Sequence, residues 1–144
     1  MTPLRALVVE HDRDDVELVA LELRRAGYAP TSRQVATLEA LRAALDEPWD
    51  IIYSDFQLEG FTALDVLEVV RRERHVDLPF IVVSGSIGED LAVSAMRAGA
   101  DDYFRKEHLE RLGAATARSL READARRQGR DAREREVELR HEAE

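Results

Sequence analysis

The stretch Asp50-Ile51-Ile52-Tyr53-Ser54-Asp55 decides the fold of this chain. It is a short apolar run of β-branched and aromatic residues, with turn signals at Glu47-Pro48 before it and Glu59-Gly60 after it. This pattern is typical of a strand that is buried on both faces. Ligands bind at the carboxyl ends of the strands in open α/β sheets, so Asp55 stands where chemistry is expected.

The composition indicates a globular domain with an acidic surface. The 144 residues are 44% hydrophobic and 35% charged, which is enough for one domain with a core of its own. Thirty acidic residues against 21 basic ones give a net charge of −9, which argues against a surface for nucleic acid or anionic lipid. We therefore expect neither nucleic acid nor a membrane among the partners.

Cysteine usage and the N-terminus bear on localisation. The chain contains no cysteine, which fits a reducing cytosol. Its N-terminal segment turns polar too early for a signal peptide, and no apolar run approaches the ~20 residues of a membrane span. We expect a cytoplasmic protein or a cytoplasmic piece of one.

Strand and helix patterns alternate five times along the chain. Strands are predicted at 4–9, 29–35, 50–54, 80–83 and 101–104, and helices at 14–26, at 37–45, from Thr62, at 89–98 and from about His108. Asp14 with Glu17, Thr37 and Thr62 are the predicted helix caps. Parallel strands need right-handed crossover helices. The sequence therefore predicts an α/β fold with a five-stranded parallel sheet and helices on both faces.

Polar side chains follow four of the predicted strands. Glu10-His11-Asp12 come after the first strand, Asp55 after the third, Ser84 after the fourth and Lys106 after the fifth. Carboxylates can hold Mg²⁺, an aspartate can become an acyl phosphate, and a lysine can neutralise phosphoryl oxygens. Taken singly, each residue is more often a cap, a turn residue or a solvated surface group. Their common edge favours phosphoryl chemistry.

Four motifs occur in a familiar order. They are Leu7-Val8-Val9-Glu10-His11-Asp12, Ile51-Ile52-Tyr53-Ser54-Asp55, Ile81-Val82-Val83-Ser84-Gly85 and Ala98-Gly99-Ala100-Asp101-Asp102-Tyr103-Phe104-Arg105-Lys106. Over about residues 4–120, the sequence resembles the receiver domains of two-component response regulators. The resemblance implies a flavodoxin-like (βα)5 fold with strand order 2-1-3-4-5. It also implies a histidine kinase or phosphotransfer protein as partner, and no enzymatic activity beyond self-phosphorylation and autodephosphorylation with Mg²⁺.

The same resemblance assigns a role to each site residue. Asp55 is the expected phosphoacceptor, Lys106 the partner of the phosphoryl oxygens, and Ser84 the hydroxyl that turns toward them. The loop 84–88 then shifts and Tyr103 swings inward, which switches the face formed by the fourth helix, the fifth strand and the fifth helix. The expected Mg²⁺ ligands are Glu10, Asp12, Asp55 and the backbone carbonyl of Gln57.

Some positions depart from the pattern of the family. His11 stands where a second acid is usual, and imidazole suits zinc, copper or nickel better than magnesium. His11 is therefore either a ligand of altered selectivity or a residue without a ligand role. Asp12 is the substitute acid, provided that the strand has already turned into the loop. Glu107 replaces a proline and predicts a trans peptide after Lys106, while Leu58-Glu59-Gly60 lacks a proline that is common there.

A second interpretation uses the same fold without phosphorylation. His11 and Glu107 favour a degenerate receiver that acts as a protein-interaction module through its fourth-helix face. Two other classes fit poorly. A haloacid-dehalogenase-like hydrolase needs a second aspartate where Gln57 stands, and an FMN carrier needs a Ser/Thr/Gly-rich loop where Glu10-His11-Asp12 would repel the phosphate.

The segment 121–144 differs from the rest in composition. It holds seven arginines and eight acidic residues, so we expect a receiver domain over 1–120 and a charged helical tail or linker over 121–144. Gly129 is expected to interrupt the helix, and the last dozen residues to fray in solvent. Up to about Gln128, the segment is either such a solvated helix or a signalling helix that pairs with a second copy or runs into a further domain. Two copies could also pair through the face formed by the fourth helix, the fifth strand and the fifth helix. The chain is either a stand-alone receiver or part of a larger sensor protein.

Overall fold

A computed structural model describes residues 1–85 and 88–143 of the chain. Part of the predicted loop 84–88 and the last residue of the tail lie outside these described residues. Strands and helices alternate in the order β1 (Thr2–Val9), α1 (Arg13–Arg25), β2 (Tyr28–Val35), α2 (Leu38–Ala44), β3 (Ile51–Ser54), α3 (Ala63–Leu67, continued by a π-helical segment over Glu68–Glu73), β4 (Phe80–Ser84), α4 (Glu89–Arg97), β5 (Asp102–Arg105) and α5 (Leu112–Ala143).

The five strands form one parallel sheet in the order β2-β1-β3-β4-β5. This confirms the five-stranded parallel sheet that the sequence pattern predicted, and the flavodoxin-like fold and strand order that the resemblance implied. The register aligns the ends of β1 and β3, because Val9 lies opposite Ser54. Glu10 and Asp55 therefore leave the sheet side by side at its carboxyl edge.

The central strand β3 divides the core into two clusters, one on each face of the sheet. Ile52 packs into one cluster, with Phe80 and the helices α2 and α3, whereas Ile51 and Tyr53 pack into the other, against α1 and α5. All four residues of β3 are buried. The Tyr53 hydroxyl shares a buried hydrogen bond of 2.7 Å with Oγ1 of Thr116 on α5. A strand that is buried on both faces thus sets both the core and the position of Asp55.

Most predicted helix ends are confirmed, but two are not. Thr37 caps α2, and Thr62 with Asp65 forms a capping box at α3. The predicted Asp14–Glu17 pair at α1 is wrong, because Asp12 is the N-cap and its Oδ1 accepts from the Asp14 N–H at 2.9 Å. Helix α5 begins at Leu112 rather than near His108, after a turn in which the His108 N–H donates to the Arg105 carbonyl.

Helix α5 is continuous from Leu112 to Ala143. The expected interruption at Gly129 does not occur, and the last dozen residues are helical as far as they are described. Ala123 is the last buried residue of the helix, and the described side chains after it are exposed or half-buried. Arg126 and Arg130 both form ion pairs with Asp77, in the loop before β4. Exposed ion pairs of this kind each stabilise a contact by ~0.2–1 kcal/mol. The first turns of the tail are therefore only weakly attached to the loop before β4.

Within the described part of the chain, no helix is both long enough and apolar enough to span a membrane.

Two glycines of α5 predict opposite effects of the same substitution. An added Cβ at Gly113 would overlap the Cβ of Ala26 at the end of α1, so Gly113→Ala should destabilise the protein by about 1–3 kcal/mol. An added Cβ at Gly129 would meet only Nη1 of Arg133, at 3.8 Å. Gly129→Ala should therefore raise helicity and not lower stability, because alanine favours a helix interior over glycine by ~0.5–1 kcal/mol.

Urea denaturation and circular dichroism of both variants measure these effects. Equal stability of Gly113→Ala and the unsubstituted protein would show that α1 and α5 do not pack closely at this point.

Candidate functional site

Asp55 is fixed by the backbone at the carboxyl edge of the sheet. It follows β3 directly, and its N–H donates to the Val9 carbonyl at 2.9 Å. The Ser54 hydroxyl donates to the Asp55 carbonyl at 2.8 Å. The Asp55 side chain is only 7% exposed, so one carboxylate is presented in a largely dehydrated setting, where electrostatic interactions are strong.

Glu10 provides a second buried carboxylate beside Asp55. Its N–H donates to the Val35 carbonyl at 3.0 Å, and its Oε1 accepts from the N–H groups of His11 at 3.0 Å and Asp12 at 3.2 Å. Burial raises the pKa of Glu10, and the neighbouring charge of Asp55 raises it too, against the opposing effect of a hydrogen bond with Lys106. The two acids therefore repel each other and need a cation between them.

Lys106 supplies that cation. Its backbone N–H donates to the Ser84 carbonyl at 2.9 Å, which anchors the residue just past β5. Its Nζ lies 2.9 Å from Oε2 of Glu10 and 3.2 Å from Oδ2 of Asp55. Burial alone would lower the pKa of Lys106, but its carboxylate partners outweigh burial and the pKa lies above its ordinary value. The group is therefore a permanent ammonium at neutral pH.

A third carboxylate also contacts this ammonium. Oδ2 of Asp15, in the first turn of α1, lies 2.6 Å from Nζ of Lys106, the shortest of its ion pairs. Asp15 was not among the site residues predicted from the sequence, because it belongs to none of the four motifs and lies inside α1 rather than directly after a strand. A helix that begins after Asp12 sets Asp15 one turn before Val19, on the face that packs on the sheet, so the spacing did contain the signal.

The described charges of the site do not balance. The three carboxylates of Glu10, Asp15 and Asp55 face one ammonium. Such a surplus of negative charge attracts a divalent cation and repels an incoming phosphate. A phosphoryl reaction at Asp55 therefore requires additional positive charge.

The donor set fits a divalent cation in part. One ligand atom each from Glu10, His11 and Asp55 lies within 4.8 Å of the others. Two carboxylates suit Mg²⁺, which prefers oxygen ligands, whereas the imidazole suits transition metals better. His11 is well exposed, and its Nδ1 lies 3.3 Å from Oε1 of Glu10. A cation held here would bind through Glu10 and Asp55, with His11 at the solvent side.

The other predicted ligands lie elsewhere or stay predictions. The Asp12 side chain caps α1 and is exposed, so the structure does not bring it into the cluster of Glu10, His11 and Asp55. Gln57 pairs with Thr62 in an isolated antiparallel bridge two residues past Asp55. Its role as a ligand through the backbone carbonyl stays a prediction.

Ser84 and Tyr103 lie on neighbouring strands on the β5 side of the site. Ser84 ends β4, is buried and lies opposite Arg105, the residue before Lys106. Tyr103 is half-buried in the middle of β5, where it packs against the core and lines a shallow depression with Val93 and Met96 of α4. Tyr103 is thus placed between the core and the α4 surface, and its switching role stays a prediction.

The loop after Lys106 accommodates Glu107 without an unusual peptide bond. The described residues contain no cis peptide, in agreement with the trans bond expected where a proline is replaced. Glu107 pairs with Arg105 at the surface. The departure at this position therefore leaves Lys106 directed into the site.

The arrangement of these residues is that of a known family. The sequence profile of the response regulator receiver domain matches residues 6–117, and the chain belongs to this family. Receiver domains typically bind Mg²⁺ at acidic residues and serve phosphorelay signalling. The match runs from the middle of β1 into the first turns of α5.

Individual relatives agree with this assignment. The phosphate regulon transcriptional regulatory protein PhoB of Klebsiella pneumoniae is 31% identical over 104 residues, 71% of this chain and 44% of that protein. The nitrogen assimilation regulatory protein NtrX of Azorhizobium caulinodans is 30% identical over 128 residues, 87% of this chain and 28% of that protein. The chain thus spans less than half of these relatives. Because PhoB is named a transcriptional regulator, our expectation of no nucleic-acid partner lacks support.

Solved structures show the same fold. The crystal structure of NtrX from Brucella abortus superimposes with a TM-score of 0.78 at 30% identity, covering 93% of this chain and 31% of that one. A CheY-like receiver domain protein from Methanospirillum hungatei has a TM-score of 0.72 at 23% identity, covering 87% and 99%. The latter likeness concerns the fold alone.

The position of His11 predicts how metal affinity responds to substitution. His11→Asp places an oxygen ligand and a negative charge beside Glu10 and Asp55, so the Mg²⁺ dissociation constant should fall about tenfold. Isothermal titration calorimetry measures this constant directly.

Asp12→Asn is the matched control, because asparagine preserves the helix cap and Asp12 lies outside the cluster. Unchanged Mg²⁺ affinity in His11→Asp would contradict the placement of the cation, and a clear loss in Asp12→Asn would make Asp12 a ligand.

Proposed function

We propose that this receiver domain accepts a phosphoryl group on Asp55 from a histidine kinase or a phosphotransfer protein. The observation that carries the proposal is the ion pair of 3.2 Å between Nζ of Lys106 and Oδ2 of Asp55. It places a permanent positive charge beside a carboxylate whose backbone is fixed at the carboxyl edge of the sheet. Glu10 adds a second acid at the same point.

The chemistry of the transfer follows from these groups. An Oδ of Asp55 attacks the phosphorus of a phosphohistidine, the P–N bond breaks, and the histidine nitrogen keeps the electron pair and takes up a proton. The product is an acyl phosphate, a mixed anhydride. Lys106 pairs with the phosphoryl oxygens as their charge collects near Asp55. When bound at Glu10 and Asp55, Mg²⁺ supplies the remaining charge neutralisation.

In this proposal, Ser84 and Tyr103 transmit the phosphorylation of Asp55 to the protein surface. Ser84 turns its hydroxyl to the phosphoryl group, the following loop shifts, and Tyr103 moves toward the core. The surface that changes is the depression between α4 and β5, where Val93 and Met96 are exposed apolar residues. Exposed apolar side chains beside a switch residue suit a surface for a protein partner.

The boundary between the proposed receiver domain and the tail lies within helix α5. We assign residues 1–120 to the receiver and 121–144 to a charged helical tail or linker, because burial ends at Ala123 and the family match ends at residue 117. The tail is anchored at its base by Arg126 and Arg130 on Asp77. Pairing of two copies would use either the α4–β5–α5 face or this helix.

A second candidate function is a degenerate receiver that binds partners without phosphorylation. The observation that favours it is the saturation of Lys106, which already contacts three carboxylates. His11, which stands where the family usually has an acid, also favours this function. In both candidate functions the protein acts in the cytoplasm. Only the first includes a catalytic role, which is limited to the protein's own phosphorylation and dephosphorylation.

Reaction with a small acyl phosphate separates the two functions. We expect acetyl phosphate with Mg²⁺ to add one phosphoryl group to the protein, to a fraction that intact-mass spectrometry measures. Asp55→Asn should abolish the gain, because an amide oxygen does not form the acyl phosphate.

Asp50→Asn is the matched control, since Asp50 precedes the same strand at its opposite end and accepts a hydrogen bond from the Arg5 N–H. It should react like the unsubstituted protein. A mass gain in Asp55→Asn, or no gain in any of the three proteins, would reject Asp55 as phosphoacceptor.

A further inference from the structure

The ammonium of Lys106 is shared unequally among its three carboxylates. Its Nζ lies 2.6 Å from Asp15, 2.9 Å from Glu10 and 3.2 Å from Asp55. The closest partner is therefore on α1 and not on the strand that carries the phosphoacceptor. Charge-assisted hydrogen bonds strengthen as they shorten, so the geometry draws the ammonium toward α1.

We propose that Asp15 is a positioning residue that holds Lys106 on the α1 side of the site and competes for it with a phosphoryl group on Asp55. The inference rests on the proposed function of Asp55 and adds a residue that neither the sequence motifs nor the family match assigns. Asp15 does not touch the reacting atoms, and it acts only through the position and charge of Lys106.

The competition follows from the number of donors. An ammonium has three N–H groups, and in this structure it contacts three carboxylates. A phosphoryl group adds oxygens that carry up to two negative charges, and Lys106 can pair with them only by leaving at least one carboxylate. Asp15 is the partner that the lysine leaves, because its side chain is 22% exposed and water can solvate it, whereas the side chains of Glu10 and Asp55 are only 4% and 7% exposed.

In the unphosphorylated protein, the ion pair between Asp15 and Lys106 has a second effect. Because Asp15 attracts the ammonium, Asp55 shares it at the longest of the three distances. An aspartate that is less tightly paired keeps its oxygens available for attack on phosphorus. Asp15 thus favours the reactive form of the site before transfer and opposes the phosphorylated form after it.

Asp14 provides a matched control for Asp15. Both residues are acids in the first turn of α1, so both interact with the helix dipole. The Asp14 side chain is exposed, whereas Asp15 is 22% exposed and contacts Lys106. Asp14→Asn and Asp15→Asn remove the same charge from the same helix turn, and only the second removes the hold on Lys106.

The first test observes the lysine itself, without phosphorylation. Lys106 is the only lysine of the chain, so a sample labelled with ¹⁵N-lysine gives a single side-chain amine signal. We expect Asp15→Asn to shift this signal and to speed acylation of the amine by an amine-reactive ester at least about threefold, whereas Asp14→Asn changes neither. Equal effects of the two substitutions would overturn the hold of Asp15 on Lys106.

The second test measures the competition. Beryllofluoride binds reversibly to an aspartate as a phosphoryl analogue, and its affinity is measured at saturating Mg²⁺ by titration calorimetry. Asp15→Asn should bind it at least about threefold more tightly than the unsubstituted protein, because Lys106 is released beforehand. Asp14→Asn should leave the affinity unchanged, and Asp15→Glu should restore it toward the original value.

The two tests fail in different ways. If the unsubstituted protein binds no beryllofluoride, the proposed function of Asp55 fails, while the lysine signal still decides whether Asp15 holds Lys106. If the unsubstituted protein binds it and Asp15→Asn binds it equally or more weakly, the competition is overturned and Asp55 keeps its assignment.

Discussion

One ammonium group among three carboxylates is the interaction on which the site depends. Nζ of Lys106 contacts Asp15, Glu10 and Asp55, which come from α1, the end of β1 and the end of β3. Without a cation, these carboxylates would repel one another in a setting that is largely closed to water. The same excess of negative charge makes the site responsive, because any added cation or phosphoryl group must redistribute the contacts of Lys106.

The fold makes this convergence possible. Parallel strands end at the same edge, and the register that places Val9 opposite Ser54 brings Glu10 beside Asp55. Lys106 reaches them because its N–H is anchored on the Ser84 carbonyl, at the end of β4. The buried strand β3 fixes the position of Asp55, which follows it directly. Its side chains alternate between the two core clusters, so its position is fixed on both faces.

The fold was largely predictable from the sequence, and the site only in part. Apolar runs identified β1, β3 and β4, and Thr37 and Thr62 identified two helix starts, because these signals are local in sequence. The strand β2, which contains Pro30 and alternates poorly, and the short strand β5 carried weaker signals. Asp15 was not predicted, because it lies inside α1 and its contact with Lys106 joins residues that are 91 positions apart in the sequence. The contacts of Arg71 with the carbonyls of Val76, Leu78 and Gly99 join distant segments through one side chain, and no periodicity reports them.

The most direct test of the account is to follow the single lysine side-chain signal of the unsubstituted protein while acetyl phosphate and Mg²⁺ convert it to the acyl phosphate. A second Nζ signal should appear in proportion to the phosphorylated fraction measured by mass and should disappear as the acyl phosphate hydrolyses. A protein that gains the phosphoryl group while its lysine signal stays unchanged would contradict the central place given to Lys106.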